Sequence, residues 1–521
     1  MTSMEVKMPS AVSRFVDTTE LLEGMLKSLP PGDLRKTITV SRQWSDVSLD
    51  VLWREVHSVA TLCRGLAPVV GDHHATRFTR ELEQSDWDRF DSIYASRIRT
   101  LHQKASNCVQ LVDQLSRTRP RYAILPNLRS LHWNGPLVQC LTFMHPDVKK
   151  LVFTVPENFP SQHLSFSQYF HARLPDLQSL ELKNLTSNSN PNAEQALGTT
   201  IEKLTKLRQL TLPCGLADGL MNILSNMPKL EALSMTSRSN SDANLPLSDG
   251  AFSSLAAISL VTSFAAAAQL FNHPKHPPAL VRIRIKSPRA ESPAHMTQLL
   301  DAIAASYPRL GQLHISCLTS SPPPDINETV DIRTIRPILR CTMLRALELA
   351  HYYPFRLLYV DVEEIAISLP HIETLVLNCS PASKSLQDTL SFSALISLAA
   401  NCPKLERLGL YLGLREEDIP ASDQNPQVKF NNLRTLCTGF SSVSNPRSVA
   451  FFLSFLCPWL ADFVRGDSWM GEEHNVKKDG SKEWDEIEGL LPFLASVRAH
   501  ERASVHRNLR RTLGGGTDKR A

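Results

Sequence analysis

Residues 174–182 read Leu-Pro-Asp-Leu-Gln-Ser-Leu-Glu-Leu, which sets apolar side chains at Leu177, Leu180 and Leu182 directly behind a proline. The same apolar-x-x-apolar-x-apolar frame begins earlier at Leu128 and Val148. It recurs at Leu207, Leu230, Leu255, Leu280, Leu310, Leu344, Ile372 and Leu405, and fades at Leu433, where Thr438 takes the last position. That makes twelve copies, with first positions 20 to 34 residues apart. Many are introduced by proline, as in Leu-Pro-Asn-Leu at 125–128, Met-Pro-Lys-Leu at 227–230 and Cys-Pro-Lys-Leu at 402–405. Proline has no N–H to give a helix and pushes its predecessor toward extended backbone, so each one marks a helix-to-strand corner. Between copies, stretches such as 216–226, 294–306 and 388–401 carry apolar residues at helical spacing. The spacing therefore predicts short strands alternating with helices along most of the chain.

This alternation resembles the leucine-rich repeat and implies an α/β solenoid, a horseshoe with parallel strands on its concave side and helices on its convex side. The separations lie at or beyond the upper end of the roughly 20 to 29 residues usual for that repeat. Such irregularity is similar to the divergent repeats of F-box proteins. The family's asparagine position is mostly absent, with Asn184, Cys214, Cys317 or Cys379 nearby instead. A doubly wound α/β domain would alternate in the same way, but twelve like-phased copies exceed what one such sheet normally holds.

Composition agrees with an ordered protein. The 521 residues are 42% hydrophobic and 21% charged, too long for one ordinary core and too apolar for long disorder. The formal net charge of +4 is small and evenly spread, so it argues for no nucleic-acid partner. None of the ten cysteines forms a Cys-x-x-Cys pair, and Cys214, Cys317, Cys379, Cys402 and Cys457 fall in or beside apolar segments, as small buried hydrophobes would. No apolar run near the N-terminus reads as a signal peptide, which sets a cytoplasmic or nuclear expectation. The most apolar window, 255–271, is broken by Ser259, Thr262, Ser263 and Gln269, so no membrane partner is expected.

The N-terminal stretch has a different pattern. Leu21, Leu22, Met25, Leu26 and Leu29 share a helical face, Pro30-Pro-Gly-Asp33 breaks it, and Leu34, Ile38 and Val40 start another. So small a unit is expected to expose an apolar docking face. Glu20-Leu21-Leu22, Met25-Leu26, Leu29, Asp33-Leu34, Val40-Ser41-Arg42, Trp44 and Leu52-Trp53 together resemble an F-box. That resemblance implies binding to a Skp-type adaptor and, through it, a cullin, with Leu21, Leu22, Met25, Leu26, Leu29, Leu34, Val40 and Trp44 as adaptor-binding residues. The family's usual Leu-Pro ahead of the first helix is replaced by Asp17-Thr18. A simple helical cap on a solenoid is the other reading of these helices. Downstream, Trp87, Phe90, Tyr94 and Ile98 lie at helical spacing in a segment that resembles the connector of fungal F-box proteins with divergent repeats. Trp53 and Trp87 are both expected to be buried.

The expected organisation is thus a flexible N-terminus (1–14), an F-box-like helical motif (15–57), a helical connector (58–122), the repeat solenoid (123–466) and a C-terminal helical cap with a basic tail (467–521). No phosphate loop, paired-cysteine or metalloprotease motif is present. Gly466-Asp467-Ser468 lacks the small-residue turn of a hydrolase nucleophile, and the pair His73-His74 could bind metal only with other ligands brought from a distance. The resemblance implies a non-catalytic substrate receptor of a ubiquitin ligase, with no cofactor and no metal. A leucine-rich-repeat scaffold or GTPase-regulating protein is the alternative. Strand alternation points the residues between the framework positions to solvent, Val376 and Asn378 among them. Arg282, Arg284 and Lys286 then form a three-cation stripe suited to an acidic or phosphorylated target, with His314, Arg407 and Tyr411 as further target-binding residues.

Overall fold

A computed structural model describes residues 18–71, 76–104, 108–154, 170–183, 191–236, 251–275, 277–317, 330–352, 355–381, 389–419, 428–458, 460, 462–465 and 482–514. The segment 1–14, His73-His74, Asn184 and Gly466-Asp467-Ser468 lie outside them. The chain divides into two compact units, 1–238 and 239–521.

The first unit opens with helices α1 (Thr19–Lys27), α2 (Pro31–Thr37) and α3 (Arg42–Trp53). Pro31 occupies the first turn of α2, where its missing N–H costs nothing. Ser41 caps α3, its Oγ accepting from Trp44 N at 3.2 Å. Helix α3 runs straight into the first strand, because the Arg54 carbonyl accepts from both Arg99 N (2.9 Å) and Thr100 N (3.0 Å).

Among the described residues this unit has seven ladder strands: β1 (Glu55–Val56), β2 (Thr100–Gln103), β3 (Ser130–Asn134), β4 (Lys150–Thr154), β5 (Ser179–Lys183), β6 (Gln209–Pro213) and β7 (Ala232–Thr236). They pair in parallel in chain order. The register aligns Val56, Leu101, Leu131, Leu151, Leu180, Leu210 and Leu233 in one row, and every one is buried. Burying each such side chain stabilises the fold by roughly 1.5–3 kcal/mol relative to leaving it exposed, before the ordering cost.

The segment 58–122 differs from the all-helical connector expected. It holds α4 (Val59–Arg64), α5 (Gln84–Phe90), continued by a π-helical turn over Asp91–Ala95, and α6 (Val109–Thr118), but also β2 and an antiparallel pair, Val69–Gly71 with Thr76–Phe78. Strand β2 escapes the apolar frame because Gln103 fills the third inward position. Its Oε1 is satisfied there by Val59 N at 2.9 Å, so the polar group is buried at little cost. Trp87 is buried edge-on against Phe90, as expected. Trp53 is only half-buried, its ring 4.3 Å from that of Tyr94, because it packs at the junction of α3 with the connector rather than inside the helices.

The second unit repeats the plan. Its eight described ladder strands are β8 (Ala257–Val261), β9 (Arg282–Ser287), β10 (Gln312–Cys317), β11 (Ala346–Ala350), β12 (Thr374–Leu377), β13 (Arg407–Leu410), β14 (Thr435–Gly439) and β15 (Asp462–Arg465). All are parallel and in chain order, aligning Ile258, Ile283, Leu313, Leu347, Leu375, Leu408, Leu436 and Phe463. Connecting segments include helices α7 (Phe264–Asn272), α8 (Pro293–Ser306), α9 (Phe392–Asn401) and α10 (Pro446–Leu456). Every expected repeat copy coincides with a strand, and β1, β2 and β15 add to them. A last helix, α11 (Lys482–Gly514), lies against α10. Trp484 donates its indole N–H to Ser441 O at 2.9 Å, and the Arg498 guanidinium sits over the Phe451 and Phe455 rings. Gly439 at the end of β14 has φ +52, and a Cβ there would stand 2.0 Å from Cys379 O, so only glycine fits.

Candidate interaction surfaces

The α1–α3 bundle closes on Leu22, Leu26, Leu34 and Val47, with Met25, Leu29, Trp44, Val51 and Leu52 packed partly against them. Thr37 and Ser48 hydroxyls, 2.6 Å apart, tie α2 to α3. This corrects the expected adaptor surface: Leu22, Leu26 and Leu34 are internal. Helical spacing reports that α1 has an apolar face, but α2 and α3 cover that face and use it as their own core. Leu21 remains 48% exposed and Val40 61% exposed, with Met25, Leu29 and Trp44 half-buried. Arg97 holds the bundle from below, reaching the Asp46 carbonyl at 3.0 Å and the carboxylates of Asp46 and Asp50.

In the second unit, register places Arg284, His314, Glu348, Val376, Gly409 and Cys437 in one row on the sheet face opposite the leucine core. Arg282 and Arg284 are exposed, and Arg282 Nε donates to Gln312 Oε1 at 2.6 Å. Lys286 is buried rather than solvent-facing, and burial, together with the charge of Arg284, pushes its ammonium down to about 8. His314 is also buried, its Nδ1 2.9 Å from Glu348 Oε2. Burial pushes the imidazole down. Burial pushes Glu348 up, but the bond to His314 and the nearby Arg407 and Arg284 outweigh it, so the carboxyl titrates below its usual range. The expected stripe of three like cations is therefore two exposed arginines and a buried lysine, and the cross-strand row that starts at Arg284 carries an acid, Glu348, two strands on. Glu348 was readable from the sequence, since it directly follows framework Leu347.

Farther along, the outward positions are not outward. Val376 is fully buried with Ala350, Cys379 and Cys437, and Val464 packs against them. Tyr411 and Asn378 are buried and Arg407 half-buried. Asn378 takes φ 46 and accepts from His351 N at 3.1 Å through Oδ1, an inward structural role. Gly409 permits the closure: a Cβ would stand 2.8 Å from Val376 Cγ1 and 3.0 Å from Cys437 Cβ, so its neighbours meet across it. Among the cysteines, Cys379, Cys402 and Cys457 are buried as expected and Cys317 only partly.

Among the described residues no helix is long and apolar enough to cross a membrane. No family model matches the sequence, and no curated protein matches it. Solved structures do match. A chain of the yeast Rad7 and Elc1 complex is 14% identical, covering 90% of this chain and 94% of that one, with a TM-score of 0.31. A chain of the Drosophila Toll–Spatzle complex is 14% identical over 73% of this chain and 56% of its own length, with a TM-score of 0.30. A chain of the TLR13–ssRNA13 complex is 15% identical over 77% and 71%, with a TM-score of 0.28. What the strand ladders establish for themselves is the fold: each unit is an α/β leucine-rich-repeat solenoid with parallel strands laid down in chain order.

Proposed function

We propose that this chain is a non-catalytic substrate receptor of a Skp, cullin and F-box type ubiquitin ligase, acting in the cytoplasm or nucleus. The α1–α3 bundle docks on the adaptor, and the repeat strands present a protein target. One observation carries the reading. The segment that resembles an F-box folds as a separate three-helix bundle whose core is complete, yet it leaves Leu21 and Val40 outside in water. Exposed apolar side chains on a small bundle are what an obligate partner would cover.

The experiment is a pull-down of the full-length chain with a Skp-type adaptor, comparing wild type with Leu21→Asp/Val40→Asp. Adaptor and cullin should be recovered with wild type and lost with the double variant, while the melting profile stays unchanged. Recovery of neither by wild type would favour the scaffold or GTPase-regulating alternative. Undiminished recovery with the double variant would move the contact elsewhere. Leu22, Leu26 and Leu34 are unsuitable for this test, because a charge there would unfold the bundle.

For the target, Arg282 and Arg284 are exposed on the strand face, and the half-buried Arg407 lies four strands farther along the ladder. Arginine forks suit a carboxylate or phosphate, which supports an acidic or phosphorylated target. Lys286, His314 and Tyr411 are buried and would support that surface rather than form it.

A further inference from the structure

We infer that Glu55, His57 and His102 form a binding site for one divalent transition-metal ion at the start of the first strand ladder. Glu55 and His57 are two residues apart and so project to the same side of the extended chain, while His102 lies on the adjoining strand β2, beside them through the pairing of Val56 with Leu101. Glu55 Oε1 is 2.7 Å from His102 Nε2 and 3.9 Å from His57 Nδ1. One donor atom from each of the three residues lies within 4.8 Å of the others. Bonds of about 2.0–2.1 Å in a tetrahedral zinc site put ligand atoms roughly 3.3 Å apart, so the Glu55–His57 distance would shorten and the Glu55–His102 distance lengthen, adjustments that rotation of the exposed Glu55 and His57 side chains supplies around the half-buried His102. The imidazoles are already aligned, with ring centroids 5.4 Å apart for His57 and His102. His132 on β3 packs beside His102 at 4.3 Å and limits its ring orientation.

The donor set names the ion class. Two imidazoles and one carboxylate suit zinc, cobalt or nickel, whereas magnesium and calcium take sets made of oxygen. Three protein ligands leave a fourth position for water or an incoming group. Imidazole and carboxylate ligands bind a metal only when deprotonated, so binding weakens in acid. The motif is invisible to sequence spacing because β1 contributes only two residues and His102 lies 45 positions after His57 in a strand whose frame Gln103 disguises. An ion here would clamp β1 to β2 beside the exit of α3, independently of whether the bundle binds an adaptor.

The test uses the purified full-length chain, titrated calorimetrically with zinc and followed by cobalt absorption. Expected is one saturable ion with visible cobalt bands of nitrogen and oxygen ligation and no thiolate charge-transfer band. His57→Ala, His102→Ala and Glu55→Gln should each weaken it by more than the roughly 10–100-fold that loss of an outer-shell partner costs. His57 and Glu55 are exposed, so those two variants should fold normally and circular dichroism serves as the control. Absence of saturable binding overturns the proposal. So does unchanged affinity in His57→Ala/His102→Ala, or a thiolate band, which would assign the ion to cysteine.

Discussion

One residue past each core leucine, the first unit sets His102, His132, Val152, Glu181, Thr211 and Ser234 in its outward row, all partly open to solvent except the buried Val152. The equivalent row of the second unit runs from Arg284 through His314 and Glu348 to Val376, Gly409 and Cys437, with His314 and the last three buried. Backbone geometry is the same in both. What differs is side-chain size and polarity: in the second unit small and apolar outward residues meet each other and build a second small core on the face that strand alternation assigns to water. A parallel ladder thus fixes direction, while composition decides whether that direction leads to solvent.

The largest expected effect calibrates the comparison with an undisputed core residue. Trp87→Ala should destabilise the chain by roughly 3–5 kcal/mol in chemical melts, because its ring is buried. Trp53→Ala should cost clearly less, since its ring is half-exposed. If the two are equal, the junction is tighter than its exposure indicates.

A direct contrast comes next. Val376→Ala should cost about 2 kcal/mol, from two lost methyl groups and the cavity they leave, whereas Thr211→Ala in the first unit should stay within about 0.5 kcal/mol. Equal, small losses would abolish the distinction between the two rows. Gly409→Ala tests the same core from the other side. Crowding Val376 and Cys437 should destabilise by about 1–3 kcal/mol. A neutral result would mean that the row can open without penalty.

The smallest effect is a pH dependence. Burial holds the imidazoles of His314 and His351 below their ordinary value of about 6.5. The unfolded chain therefore takes up protons first. The stability from keeping these rings neutral is complete above about pH 6.5 and is lost as the pH falls through that value toward the folded pKa. His351 holds its place through Nε2, 2.9 Å from Glu291 O. His351→Gln should flatten the loss of stability between about pH 7 and 5.5. A slope unchanged from wild type would remove His351 as a source.

The fold was legible because leucines at a repeating interval report a buried row whatever lies between them. The additional strands were not, since Gln103 is inward but polar, β1 has two residues, and β15 offers Phe463 followed by Arg465 where the frame asks for another apolar residue. The surfaces were harder. Leu22 and Leu26 look the same in sequence whether their face is a docking site or a helix–helix contact, and only the placement of α2 and α3 decides. Lys286 and Tyr411 failed for the opposite reason: alternation predicted their direction, and packing across strands then covered them.

The passage of α3 into β1 has a mechanical meaning. The Arg54 carbonyl that ends the bundle also accepts the first hydrogen bonds from the neighbouring strand region, and Arg97 braces the helix from the same side. The joint therefore lacks a swivel. Any load applied to the bundle reaches the first strands as torque on a stiff arm, and the distance and angle between docked partner and first repeats are set by bonded geometry rather than by a search through linker conformations. Inserting a few glycines after Arg54 would turn that arm into a tether, leaving both ends folded while their mutual aim is lost.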